Sequence, residues 1–188
     1  MGLWEVVRGR TRPRRNDLDS LFLVPSAAIT LQTASGLQPT GVGAVCYRAA
    51  SGAAFAATQA EIGSLVSAEG APATTTSDEF GFTWLVLERD PADLSQLCTE
   101  LHAANTTLEA QGFADGLLCS TVTFTAPGER RVALVYLYKQ GTFYPFAPLP
   151  DRQRDNLLEL AVRDQLAGEL PVEEDLQRWL AVWGAPGL

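Results

Sequence analysis

His102 is the only histidine in the 188-residue chain, which makes it the first residue to test for acid–base or metal chemistry. A relay or a metal site needs Cys, Asp or Glu at suitable spacing beside the imidazole. Here the sequence neighbours are the leucines of a helical stripe. Two readings stand: a small ligand-binding domain or enzyme with a pocket near His102, or a structural histidine at the edge of an apolar face. The lack of a partner at ligand spacing favours the second. Cys46, Cys98 and Cys119 are odd in number and widely spaced, and each sits in an apolar run, which reads as buried reduced thiols. Glu173, Glu174 and Asp175 follow Pro171, where the start of a helix leaves amides unpaired, so helix-dipole compensation accounts for them without paired-carboxylate catalysis. Gly41 and Gly43 form a GxG fragment, yet the dinucleotide fingerprint needs a third glycine opening a helix, and this chain continues as strand. The sequence contains no P-loop, HExxH, CxxC or GxSxG pattern. The expectation is a non-enzyme, with no catalytic residue, no metal ligand and no cofactor.

Two other constellations carry binding chemistry instead. Phe143, Tyr144 and Phe146 stand among Pro145, Pro148 and Pro150, prolines that work against a regular ladder. Aromatics beside rigid prolines suit a docking surface, since they offer contact area with little entropy to lose. Equally, such rings seal one end of a core, and that reading is preferred. At the other end of the chain, Leu3 and Trp4 precede Arg8, Arg10, Arg12, Arg14 and Arg15. This pattern fits a foot on an anionic membrane surface or an acidic partner, or else a solvated terminus.

The formal net charge is -8, but residues 1–15 hold five Arg and one Glu, a net +4, which leaves -12 on the remainder. An acidic body of this kind excludes a broad nucleic-acid surface, which needs clustered Lys and Arg. Lys139 is the only lysine. Hydrophobic residues at 46% and charged residues at 19% describe an ordinary folded domain rather than a disordered chain. No run of about 18 apolar residues occurs, and the start has no apolar stretch of signal-peptide length, so a cytoplasmic protein is expected, peripheral to the inner membrane face if the basic foot is used.

The elements that must position these residues follow from periodicity. Leu18, Leu21 and Phe22 have helical spacing, Pro25 interrupts, and Ser26 reads as the cap of a helix from Ala27 to Ser35 that Gly36 stops. Gly41–Arg48 reads as a strand and Phe55–Val66 as a helix, with Glu69–Ser77 as a polar loop. Phe80–Arg89 is a strand apolar on both sides, hence central. Asp90-Pro91-Ala92-Asp93 opens a helix carrying Leu94, Leu97, Cys98, Leu101 and Leu108, with Asp90 as its cap. A hairpin joins Leu118–Thr125 to Arg131–Tyr138 through Ala126-Pro127-Gly128-Glu129, the first strand with Val122 and Phe124 on an apolar face and threonines on a polar one. Asp151 is expected to cap a helix with Leu157, Leu158, Ala161 and Val162 inward and Gly168 at its end. A last helix follows Pro171, with Leu176, Trp179, Leu180 and Trp183 on its apolar side. The domain division expected is a basic segment, 1–15, and one domain, 16–188.

Four stretches carry a family resemblance: LDSLFLVPSAAITL at Leu18–Leu31, GLQPTGVGAVCYR at Gly36–Arg48, ELHAANTTLEAQGF at Glu100–Phe113 and VYLYKQGTFYPFAP at Val135–Pro148. Together they resemble the PspA-associated protein PspAB family over nearly the whole chain. The resemblance implies a non-catalytic accessory role in the phage-shock, or envelope-stress, system. It implies protein–protein binding to a PspA-type protein or another protein of that system, at or near the cytoplasmic membrane face. It brings no catalytic residues with it. The element order argues for an α+β fold: a single domain with a largely antiparallel sheet of about four or five strands and helices mainly on one face. In element order it is similar to YbjN and type III secretion chaperone domains.

Overall fold

Residues 17–67 and 71–188 are described by a computed structural model. The N-terminal foot, Leu3, Trp4, Arg8, Arg10, Arg12, Arg14 and Arg15, lies outside the described residues. A 3-10 segment, Leu18–Leu23, runs straight into helix α1 (Val24–Ser35). Pro25 does not interrupt this helix; it occupies the first turn, where its missing N–H would have had no partner. Ser26 is therefore inside the helix rather than its cap. Gly36 ends α1 at φ 66, with its N–H donating to Gln32 O and the Leu37 N–H to Leu31 O, a left-handed stop that a side chain would strain.

One antiparallel sheet follows, built from β1 (Gln38–Tyr47), β2 (Thr74–Ser77), β3 (Thr83–Glu88), β4 (Leu117–Ala126), β5 (Arg130–Leu137) and β6 (Thr142–Phe146), in spatial order β2-β3-β1-β4-β5-β6. The fold class is α+β as expected, but the sheet has six strands rather than four or five. Both additional strands are edges. Thr74–Ser77 pairs with β3 although it carries no apolar pattern, and β6 pairs with β5 from Thr142 to Phe146 despite Pro145. An edge strand tolerates proline because one side of its backbone needs no ladder partner. The outer side of β6 is closed by the segment after Pro171: the Phe143 N–H donates to Pro171 O and the Glu173 N–H to Phe143 O, both at 2.8 Å.

Helices α2 (Ala53–Val66), α3 (Leu94–Ala110) and α4 (Asn156–Leu166) join α1 on the first face of the sheet. Period-two alternation supplies that core: Val45 and Tyr47, Leu85 and Leu87, Val122 and Phe124, and Leu134 and Tyr136 all point into it. Asp93, not Asp90, caps α3 by accepting from the Gln96 N–H, while Asp90 closes the preceding turn by accepting from the Ala92 N–H. Asp155 likewise replaces Asp151 as the cap of α4; Asp151 stands in a left-handed turn at φ 58, between the two-residue strands β7 (Pro148–Leu149) and β8 (Gln153–Arg154). Leu157 faces solvent rather than the core, and Val162 and the carboxylate of Glu159 turn inward.

The second face is covered too. Thr121 and Thr123, expected on a polar face, are buried beneath the C-terminal segment, where Gly187 lies so close to Thr123 that a Cβ would stand 2.6 Å from its Oγ1. That segment forms no helix beyond a 3-10 turn, Leu176–Arg178. Its backbone groups are drawn to β6, and the buried Glu173 side chain takes the Thr142 hydroxyl and the Asp175 N–H, so partners mostly distant in sequence outcompete helical ones. The sheet therefore lies between a helical layer and an irregular one, and β5 is apolar on both sides for that reason.

Candidate functional site

The aromatic segment is the first to be decided by position. Phe143, Tyr144 and Phe146 are exposed by only 1%, 1% and 0%. As residues of a pleated strand they alternate: Phe143 enters the helical-side core against Tyr136, and Tyr144 and Phe146 enter the second-face core against Trp179 and Trp183. They present no solvent-facing ring: all three are core positions, which leaves the docking alternative no exposed ring to use. The ladder that Pro145 was expected to prevent is what buries them.

His102 lies on α3 with Nε2 3.1 Å from Asp19 Oδ1 and its ring 4.6 Å from that of Phe22. An acid thus adjoins it, brought by the 3-10 segment across a sequence separation that no local motif reveals. Asp19 is well exposed, so the pair works in high dielectric and contributes little. No group of three or more His, Cys, Asp or Glu side chains that could hold a metal occurs among the described residues. The GxG fragment is a packing device. Gly41 has φ 78 and passes so near Arg89 O that a Cβ would stand 2.0 Å from it, while a Cβ on Gly43 would press on Leu97 and Leu101 of α3.

The acid cluster also resolves into structure. Glu173 is interior, Asp175 accepts from the Gln177 N–H, and Arg178 lies 3.5 and 3.7 Å from the two carboxylates. A second internal pair joins Arg89 to Glu100 at 2.5 Å, with Arg89 also donating to Ala71 O, Glu88 O and Val66 O. It pins Ala71, on the approach to β2, and the end of α2 to α3. The acid cluster borders an open depression of about 470 Å³, where Glu173 and Glu174 face Arg163 and Asp164, rather than an apolar ligand space.

Such a space exists on the second face: a cleft of about 300 Å³ between the sheet and residues 180–183. Its floor holds Cys46 and Cys119, which stand opposite one another on β1 and β4, and Trp84; Tyr144 and Trp183 contribute rings. Both thiols are free and buried, and the hydrogen bond to Cys119, followed by burial, pushes the Cys46 thiol far above the ordinary thiol range. Asp78 lies in the wall. Its Oδ1 accepts from the Phe80 and Phe82 N–H groups and its Oδ2 from Trp84 Nε1, each at 2.9 Å. Burial raises its pKa, but those hydrogen bonds outweigh burial and hold the carboxyl below its usual value. Sequence reasoning missed this cleft because its walls come from five separated stretches, and its lid was read as one face of a helix.

The helical layer carries the other unexplained feature. Phe22, Leu23 and Ile29 are 45%, 45% and 65% exposed, and Leu23 and Ile29 flank a shallow depression with Ser26, Thr30 and Glu169. Among the described residues no helix is long and apolar enough to cross a membrane.

These features define an α+β domain with an apolar cleft on one face of its sheet and exposed apolar side chains on its helical layer. The chain belongs to the PspA associated protein B family, PspAB, whose model matches residues 1–187. Neither a curated protein nor a solved structure gives a match. The family's description indicates association with PspA and is consistent with an accessory role.

Proposed function

We propose that the chain is a non-catalytic accessory protein that binds a PspA-type partner at the cytoplasmic face of the membrane, and that the strip Phe22–Leu23–Ile29 is where the partner docks. The observation that carries this reading is the exposure of three large apolar side chains, on one turn-and-helix unit, in a protein whose family is described by association with PspA. Scattered exposed leucines are ordinary, but neighbouring ones beside a depression mark contact surface. The strip takes over the docking role first considered for Phe143, Tyr144 and Phe146.

The test is binding of the full chain to a purified PspA-type protein by titration calorimetry. Ile29→Glu is expected to weaken binding at least about tenfold, because a charge is placed in an apolar contact. Because Ile29 is exposed, the variant should keep its urea midpoint. Unchanged affinity in the folded variant removes the strip from the reading, and no binding by the unaltered chain removes the reading itself. The pocket near His102 is a weaker alternative. His102 does not line the second-face cleft, and its pairing with Asp19 is accounted for by packing on Phe22.

A further inference from the structure

Protein interiors close to crystal-like density, and an apolar space of ligand size left open beside a core is the exception that calls for an occupant. The second-face cleft is such a space. Its floor is made of side chains already fixed by the sheet register: Cys46 opposite Trp84 on one side and Cys119 on the other. Its far wall is the irregular run Leu180–Trp183, fastened where Tyr144 Oη donates to Leu180 O at 2.7 Å. Its lining mixes two thiols with leucines and aromatic rings, a composition that suits an apolar chain.

The polar groups are few and unequal. Asp78 spends both carboxylate oxygens on three donors of the protein and has little left for a ligand. Lys139 stands exposed at the rim, in the turn between β5 and β6, and takes part in none of the ion pairs found among the described residues. Gln140 beside it adds a neutral donor. The Arg48 guanidinium lies 5.8 Å from the ring centre of Phe82, a wall residue, and stands outside the lining itself, so Lys139 is the cation that lines the cleft. An apolar interior with a cationic rim is complementary to an amphipathic anion.

We propose that this cleft binds a single alkyl or acyl chain of about ten carbons that ends in one anionic head, the chain lying over Cys46 and Cys119 and the head meeting Lys139; about 300 Å³ is the small end of the range for ligand pockets. A carboxylate and a phosphate head share the chemistry that Lys139 recognises. The cleft opens on the face opposite the Phe22–Ile29 strip, so the inference does not depend on the docking reading.

Trp84 and Trp183 line the cleft and report on it, so the full chain can be titrated with decanoate, decyl phosphate and decanol while tryptophan emission is followed. Saturable change is expected at micromolar decanoate or decyl phosphate, and whichever binds more tightly identifies the head group. Lys139→Gln should weaken the anionic probe about tenfold and leave decanol unchanged. Ala181→Phe, a substitution at an exposed wall position, should fill the cleft and abolish all three responses while the urea midpoint is retained. The proposal is overturned if neither anion gives a saturable response below about 1 mM. It is equally overturned if folded Ala181→Phe binds as well as the unaltered chain, or if Lys139→Gln weakens decanol as much as decanoate.

Discussion

Glu159 and Arg154 show how single buried charges hold this domain together. Glu159 Oε1 accepts from the Ala147 N–H at 2.8 Å and from Arg154 Nε at 2.9 Å, and its side chain is almost wholly interior. Removing one partner leaves the other charge desolvated, which typically costs about 3–5 kcal/mol. Glu159→Ala is therefore expected to lower the urea midpoint by that equivalent, far more than His102→Ala, whose exposed pair with Asp19 contributes about 0–1 kcal/mol. A chemical-denaturation series on the two variants compares them directly. Cys98 gives a pH-dependent prediction at the same scale. Burial in α3 pushes its thiol from 9.0 up to about 12, so the folded chain keeps a proton that the unfolded chain releases. Its contribution to stability is complete below pH 9 and is lost as pH rises toward 12, by up to about 1.4 kcal/mol per pH unit. Cys98→Ala should flatten the fall in stability between pH 8.5 and 10.5. Equal slopes in the two proteins would dismiss the account.

The irregular C-terminal layer depends on a small number of ties from regular elements. Arg154 on β8 donates to Trp179 O at 2.6 Å, holds Glu159 on α4, and lies 5.0 Å from the ring centre of Phe146 on β6. Trp179 in turn donates its indole N–H to Glu173 O. Arg154→Ala should release this layer first: cleavage by a protease near 179–184 is expected to accelerate well before the sheet unfolds, readable by mass spectrometry of the fragments. These ties also explain which elements the sequence could reveal. The α3 stripe and the β4–β5 hairpin were legible because apolar period, cap and turn residues all agree there. Thr74–Ser77 has no apolar residue, and only pairing with β3 makes it a strand. Pro145 argued against β6 by a rule that holds in mid-sheet and lapses at an edge. The expected last helix failed because Pro171 and Glu173 had better backbone partners on Phe143 than in a helix of their own. None of those partners is near in sequence.

At the scale of the whole molecule, the charge division decides how the protein can approach a membrane. The remainder beyond residue 15 carries -12 and is repelled by an anionic surface, whereas the first fifteen residues carry +4. Each Arg near such a surface contributes about 1 kcal/mol, so five of them suffice for a reversible contact only if the body is held away. In sequence, the exposed Phe22, Leu23 and Ile29 proposed as the docking strip follow soon after that segment. Full-length protein is therefore expected to sediment with vesicles of one-third phosphatidylglycerol, and a chain starting at Asn16 to stay in the supernatant. About 0.5 M salt should release the full-length protein, because the Debye length then falls below the spacing of neighbouring charges. Equal sedimentation of the two chains would mean that the acidic body reaches the bilayer by another route. Sedimentation insensitive to salt would assign the contact to Leu3 and Trp4 rather than to the arginines.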